Sequence, residues 1–310
     1  MKTINNKLAL GAIAFILMLF LLAGCEKPAT PPALSSKPET AEEKADSYSV
    51  KQITIPDEAG KIESFFVVGD NLYVAVQGEE SYKILRARLG TSAWIKVCDG
   101  KKGAQVSGIC FYDGGIIILQ SRDDNYSISR TEKDGKEGEV NTEINTQTGF
   151  SGICAYKEGI LVWDEAQLIL LNPKNGEVIK KAELNSRWID GVTTNGDITY
   201  ICLQAAKEGS YIAEAADVLN NDYSKSISLA VSPISANFAG SDKGKMLLTE
   251  NTKISSFDTE KKSIEVLLDF ESSSIKVSDK IIAVYEDITE GIYMLTADEG
   301  AVYVLTPKKS

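Results

Sequence analysis

Histidine, the side chain enzymes use most for proton transfer and metal binding, is absent from these 310 residues. That removes Ser-His-Asp triads, Cys-His pairs and every His-ligated zinc, haem or copper site. Chemistry would have to rest on Asp, Glu, Tyr, Lys and the five Cys. Asp164-Glu165 could be a pair of acids of the kind glycoside hydrolysis needs. Neighbours on a strand point to opposite faces, so a strand-end turn is expected instead. Asp123-Asp124-Asn125 and Asn220-Asn221-Asp222 offer oxygens suited to Ca²⁺ but lack the spacing of an EF-hand loop, and read as polar turns. Trp94, Trp163 and Trp188, with Tyr126 and Tyr211, could stack on a sugar or peptide in a central depression. Aromatic residues also fill apolar interfaces, so both readings stay open. The sequence holds no Gly-rich phosphate loop, no Gly-x-Ser-x-Gly elbow and no Cys-x-x-Cys pair. No catalytic residue, metal site or cofactor is expected.

Cys25 stands apart from the other cysteines. Lys2 and Lys7 precede an apolar run from Leu8 to Ala23, which ends in Leu22-Ala23-Gly24-Cys25. A run of this length is short of the roughly 20 residues a membrane-spanning helix needs. It fits the core of a signal peptide. Leu22-Ala23-Gly24-Cys25 resembles the bacterial lipobox. The resemblance implies cleavage before Cys25 and lipid attachment to its sulfur, with the chain held at the extracytoplasmic face of a membrane. Whether that membrane is inner or outer stays open. Residues 1–24 are then the leader, and residues 25–47 the lipidated cysteine and its tether. Glu26 to Ser47 contains Pro28, Pro31, Pro32 and Pro38, half of the eight prolines. Such a stretch buries too little apolar area to fold alone and favours extended conformations.

The elements that must position any site begin at Tyr48. Residues 48–310 show short runs of alternating polarity with turn residues between them. The best helical stretch, Ala213 to Leu219, is one or two turns long. Val106-Ser107-Gly108-Ile109-Cys110-Phe111-Tyr112-Asp113-Gly114-Gly115-Ile116 repeats as Phe150-Ser151-Gly152-Ile153-Cys154-Ala155-Tyr156-Lys157-Glu158-Gly159-Ile160, an offset of 44 residues. Looser copies lie at Phe65 to Val74, Ile189 to Ile198, Ala236 to Leu248 and Ile275 to Val284. Each copy reads as a hairpin followed by two more strands. Gln167 to Leu171, the turn Asn172-Pro173-Lys174-Asn175-Gly176, and Glu177 to Lys181 show the second pair most clearly. Units start near Ile62, Val106, Phe150, Trp188, Ile234 and Ser274.

Four-stranded units of about 40–50 residues are the mark of a β-propeller. The fold expected is therefore all-β, a propeller of about six four-stranded blades; seven blades or two β-sandwiches are the alternatives. Ile116 to Leu119, Met246 to Leu248 and Ile281 to Val284 are expected as middle strands, apolar on both faces. Closure stays open: Tyr48 to Pro56 could pair with the last blade, or Ala301 to Pro307 could complete it alone. The units resemble quinoprotein-like and WD40-like propellers, most clearly in Leu171 to Val178. The recurring Trp-Asp and Gly-His signatures of true WD40 repeats do not mark the units. Cys110 and Cys154 occupy matching positions in apolar strands. With Cys98 and Cys202 they are expected as buried free thiols, with a Cys110–Cys154 disulfide open only if the two backbones approach within about 7 Å.

Composition fits a folded, acidic, exported chain. Hydrophobic residues make up 43% and charged residues 25%. Acidic residues outnumber basic ones by 44 to 33, a net charge of −11, so nucleic acid is not expected as a partner. The order of lipobox, Pro-rich tether and acidic propeller is similar to the N-terminal region of certain extracellular solute-binding lipoproteins of ABC importers. In those a periplasmic-binding-type domain follows the propeller, and here the sequence stops at Pro307-Lys308-Lys309-Ser310. The resemblance implies a membrane-anchored binding or interaction module, a monomer, with a protein or a small solute as partner. The alternative is a His-independent lyase or hydrolase acting on a carbohydrate or peptide.

Overall fold

The computed structural model describes residues 46–56, 60–133, 137–140, 149–157, 159–194, 197–206, 209–231, 233, 235–238, 244–271, 280–287, 291–296 and 300–308. The leader, Cys25 with its motif, and the tether up to residue 45 lie outside the described residues. Among the described residues no helix is long and apolar enough to cross a membrane.

The strands form six four-stranded antiparallel sheets, and each sheet is a blade. Blade 1 contains β2 (Lys61–Val68), β3 (Asn71–Gln77), β4 (Tyr82–Arg88) and β5 (Ile95–Asp99). Blade 2 contains β6 (Gln105–Tyr112), β7 (Gly115–Arg122), β8 (Asn125–Glu132) and β9 (Glu137–Val140). Blade 3 contains β10 (Gly152–Tyr156), β11 (Gly159–Trp163), β12 (Gln167–Leu171) and β13 (Val178–Glu183). Blade 4 contains β14 (Arg187–Thr194), β15 (Thr199–Ala205), β16 (Gly209–Glu214) and β17 (Ile227–Ser228). Blade 5 contains β18 (Ser235–Phe238), β19 (Lys245–Glu250), β20 (Lys253–Asp258) and β21 (Ser263–Asp269). Blade 6 contains β22 (Ile281–Asp287), β23 (Gly291–Thr296) and β24 (Val302–Pro307), and its fourth strand is β1 (Tyr48–Gln52). The innermost strands touch in a closed ring, with β22 against both β18 and β2. This is a six-bladed propeller, and the seven-blade and sandwich alternatives do not hold.

Closure uses both ends of the folded region. β1 lies antiparallel to β24, with Tyr48 opposite Pro307 and Gln52 opposite Tyr303. The Lys308 amide and ammonium donate to the carbonyls of Ser47 and Asp46, both at 2.7 Å. The edge that β24 would otherwise expose is thereby covered.

The core is six apolar seams, one between each pair of neighbouring blades. The middle strands divide their side chains between two seams. In β7, Ile116 and Ile118 face blade 1 while Ile117 and Leu119 face blade 3. In β11, Leu161 and Trp163 face blade 4 while Ile160 and Val162 face blade 2. A strand buried on both faces needs apolar residues at every position, which is why these strands read as unbroken hydrophobic runs. Met246, Leu247 and Leu248 in β19 follow the same rule.

Two expectations need correction. Ile281 to Val284 is not a middle strand of the last blade; it opens β22, the innermost strand. Ile281 and Val284 are buried in the seam with blade 5, while Ile282 and Ala283 pack partly buried toward blade 1. An apolar run looks alike in either strand, so composition does not separate them. The helical stretch is also shorter than read: α1 is Ala215–Val218, because Ala213 and Glu214 still belong to β16. The Asn172 to Gly176 turn forms as expected, with the Gly176 amide donating to the Asn172 carbonyl at 2.8 Å.

Candidate functional site

The five aromatic residues that could stack on a ligand are not brought together. Trp163 and Tyr211 are buried in the seam of blades 3 and 4. Tyr126 packs in the seam of blades 2 and 3, edge-on to Phe150 with ring centres 5.7 Å apart. Trp94 packs against the seam of blades 6 and 1, and its Nε1 donates to the Thr54 carbonyl at 2.8 Å. Trp188 alone is exposed, on β14, where its Nε1 donates to Gln204 Oε1 at 3.2 Å. Four of the five therefore serve interfaces, the second reading left open by the sequence.

The polar clusters are built into turns. Asp164 is 1% exposed, and Oδ1 accepts from the amides of Ala166 and Gln167 while Oδ2 accepts from Gln167 Nε2. Its oxygens are spent on the β11–β12 turn, and Glu165 is exposed. Asp123 and Asp124 have φ of 50° and 62°, the two left-handed positions of a tight hairpin between Arg122 and Asn125. Asp222 follows α1 and accepts from both the amide and the hydroxyl of Ser224, which hold its carboxyl below the ordinary range. Among the described residues no three Cys, Asp or Glu stand close enough to hold a metal ion.

The four described cysteines are buried thiols, none of them in a disulfide. Each side chain joins the seam toward the next blade: Cys98 with blade 2, Cys110 with blade 3, Cys154 with blade 4 and Cys202 with blade 5. Cys110 and Cys154 thus share a position in the repeat but occupy different seams. Burial pushes the Cys154 thiol up to about 12, and Cys110 and Cys202 well above the ordinary range.

The innermost strands carry bulges at their first turn of register. Four of them skip one residue against the second strand: Glu63, Ser107, Asp190 and Ile282. Such bulges re-aim a side chain near a binding site or strand end. Asp190 is the most perturbed of these groups. Its Oδ2 is buried without a hydrogen-bond partner, and partial burial pushes its carboxyl up to about 6.

An open concavity lies on the face that carries the β6–β7, β10–β11 and β12–β13 turns. It is a groove of about 570 Å³ between blades 2 and 3. Phe111 and Tyr112, both half-buried, form its inner end because β6 is the innermost strand of blade 2. Phe111 lies tilted 6.3 Å from Phe66, which stacks on Tyr73 at 4.9 Å. Asp113 and Lys157 flank the groove from the two hairpin turns. The outer end is Asn172, Pro173 and Lys174. This outer turn is held by its own bonds: the Asn172 amide donates to the Glu177 carbonyl, and Asn172 Oδ1 accepts from the Lys174 amide. Arg130 Nη2 donates to the Asp113 carbonyl at 2.5 Å, fixing a third cation beside the turn. Sequence reading missed this groove, yet the repeat contained the signal. Asp113 and Lys157 hold equivalent positions in successive copies, so their turns must lie side by side.

A second cavity, between blades 1 and 2, is about 20 Å³, room for a water and no more. Beside it the Tyr82 hydroxyl donates to Gln120 Oε1 at 2.6 Å.

The fold is an all-β propeller of six four-stranded blades. The WD40 domain of Pan2 from Neurospora crassa is similar in structure, with a TM-score of 0.52 and 9% identity, over 86% of this chain and 97% of that one. Sqt1 from Saccharomyces cerevisiae aligns with a TM-score of 0.46 and 10% identity, over 79% of this chain and 70% of that one. No protein-family model and no curated protein matches the sequence. At such identity the likeness to the Pan2 domain speaks for the fold alone and transfers no ligand, partner or activity.

Proposed function

We propose that this chain is a lipid-anchored, extracytoplasmic propeller that acts as a non-catalytic binding module for a protein partner. One observation carries the reading: Asp164, the described cysteines and four of the five candidate aromatics are tied into turns or seams, while the turn face of blades 2 and 3 keeps an open groove. The lipobox-like Leu22-Ala23-Gly24-Cys25 and the Pro-rich tether support the placement on the membrane. Radial closure, which leaves only short blade edges for a second copy to pair with, supports reading it as a monomer.

The narrower form of this reading is solute capture for an ABC importer, as the resemblance to solute-binding lipoproteins implies. The groove supports it poorly, since small solutes need a site that encloses most of their surface.

The test has two parts. Metabolic labelling with palmitate should mark the wild-type protein in the membrane fraction and leave Cys25→Ser unlabelled. Crosslinking on intact cells, followed by capture and mass spectrometry, should recover a defined protein partner. A wild-type protein that takes up no label, or a Cys25→Ser variant that still does, sinks the anchor. Turnover of a sugar or peptide library with no partner recovered sinks the binding module.

A further inference from the structure

We infer that the groove between blades 2 and 3 is a docking site for an acidic, extended peptide segment of a partner protein. This rests on the reading of the chain as a binding module and names the site and partner class within it.

Charge is the first ground. The chain as a whole is −11. The groove runs against that balance: Lys157 and Lys174 are exposed on its walls. Asp113 is the acid that lines it. Among the described residues neither lysine ammonium has an acidic partner; Lys157 Nζ rests 5.3 Å from the Tyr156 ring centre. The nearby Glu177 carboxylate accepts from Asn175 Nδ2 at 3.4 Å. Unpaired cations beside a groove of an acidic protein attract anionic groups over about a Debye length, roughly 8–10 Å.

Shape is the second ground. The groove is open along its length and lined at the inner end by half-buried Phe111 and Tyr112. At about 570 Å³ it matches the size range of ligand sites, roughly 300–1,000 Å³, without their enclosure. Among the described residues no buried polar group lines it to orient a small molecule. A segment of a larger chain does not need enclosure, because it brings further contacts from outside the groove. An aromatic or aliphatic side chain would seat against Phe111 and Tyr112, and carboxylates would meet Lys157 and Lys174. Both walls are held by turn hydrogen bonds, so little ordering is lost on docking.

The experiment uses the full-length protein in mild detergent and a fluorescein-labelled peptide of about a dozen residues with four Glu and one central Phe. Peptides with Gln or Lys in place of Glu are the comparisons. Anisotropy should show saturable binding of the Glu peptide alone. Lys157→Glu combined with Lys174→Glu should weaken it about tenfold or more, and so should raised salt. Lys51→Glu combined with Lys102→Glu, at exposed positions elsewhere, should leave it unchanged. Absence of saturable binding, equal binding of the Gln peptide, or an unaffected groove double variant overturns the assignment. Partner capture separates this failure from the broader one. Wild type and the groove variant recovering the same partner equally would remove the groove and keep the binding module; wild type recovering none would remove both.

Discussion

Single residues in this protein show their surroundings most clearly through protonation. The Asp190 carboxyl sits near 6 in the folded state, because partial burial penalises the charged form, against about 3.9 in an unfolded chain. Between those values the folded state keeps a proton that the unfolded state releases. Stability therefore falls as pH rises from about 4 to about 6, then levels off. Asp190 is only partly buried, so solvent screening reduces the effect to about 1 kcal/mol. Asp190→Asn should flatten that slope and raise stability above pH 6 by a similar amount, read by urea unfolding across pH. The cysteines give a second outcome at this scale. Cys110, Cys154 and Cys202 have thiols pushed up by burial, and Cys98 is buried as well, so iodoacetamide at pH 8 should label none of these four in the native protein and all four in urea, counted by mass spectrometry. That the cysteines are core residues was legible in the repeat, since Cys110 and Cys154 match in position within apolar strands. The environment of Asp190 was not. It depends on a bulge in β14 and on proximity to Cys202, and no local pattern marks either.

At the scale of elements, glycine in the inner strands explains why the repeat is sharpest there. Gly152 opens β10, and a methyl group on it would overlap the Trp163 indole opposite. Gly108, its equivalent, would bring a methyl group to 3.1 Å from Ile153 Cγ2 in the next blade. The Ser-Gly-Ile match is thus set by how closely β6 and β10 approach their neighbours. Gly152→Ala should destabilise by about 2 kcal/mol, and Gly152→Ala with Trp163→Leu should cost less than the two changes summed, measured by denaturant unfolding. Strand order within blades 1 to 5 could be read from the alternation of apolar runs and turns. The inner strand of blade 6 could not, because Ile281 to Val284 is apolar enough for either an inner or a middle strand. The missed groove has a related cause: its walls come from two blades, and each turn alone looks like ordinary polar punctuation.

On the scale of the whole molecule, stability is distributed over six equivalent seams with no single centre. Ring closure decides whether the last seam forms at all. Deleting residues 48–52 removes β1, leaves β24 as an open edge and strips Tyr48 and Val50 from the blade 5–6 seam. We expect thermal unfolding about 10 °C lower and visible association on heating, read by calorimetry and light scattering. That a propeller is present was clear from the 44-residue period; how it closes was left open, because β1 and β24 pair across the full length of the chain. The same pairing sets the order of folding. Ser49 and Thr306 bond across 257 positions, so β1 leaves the ribosome first and waits for the last strand to be made. Until then the ring cannot close. In a concentrated refolding mixture the vacant edge beside β24 can accept β1 from another copy as readily as its own, giving an exchanged dimer that dilution does not quickly undo.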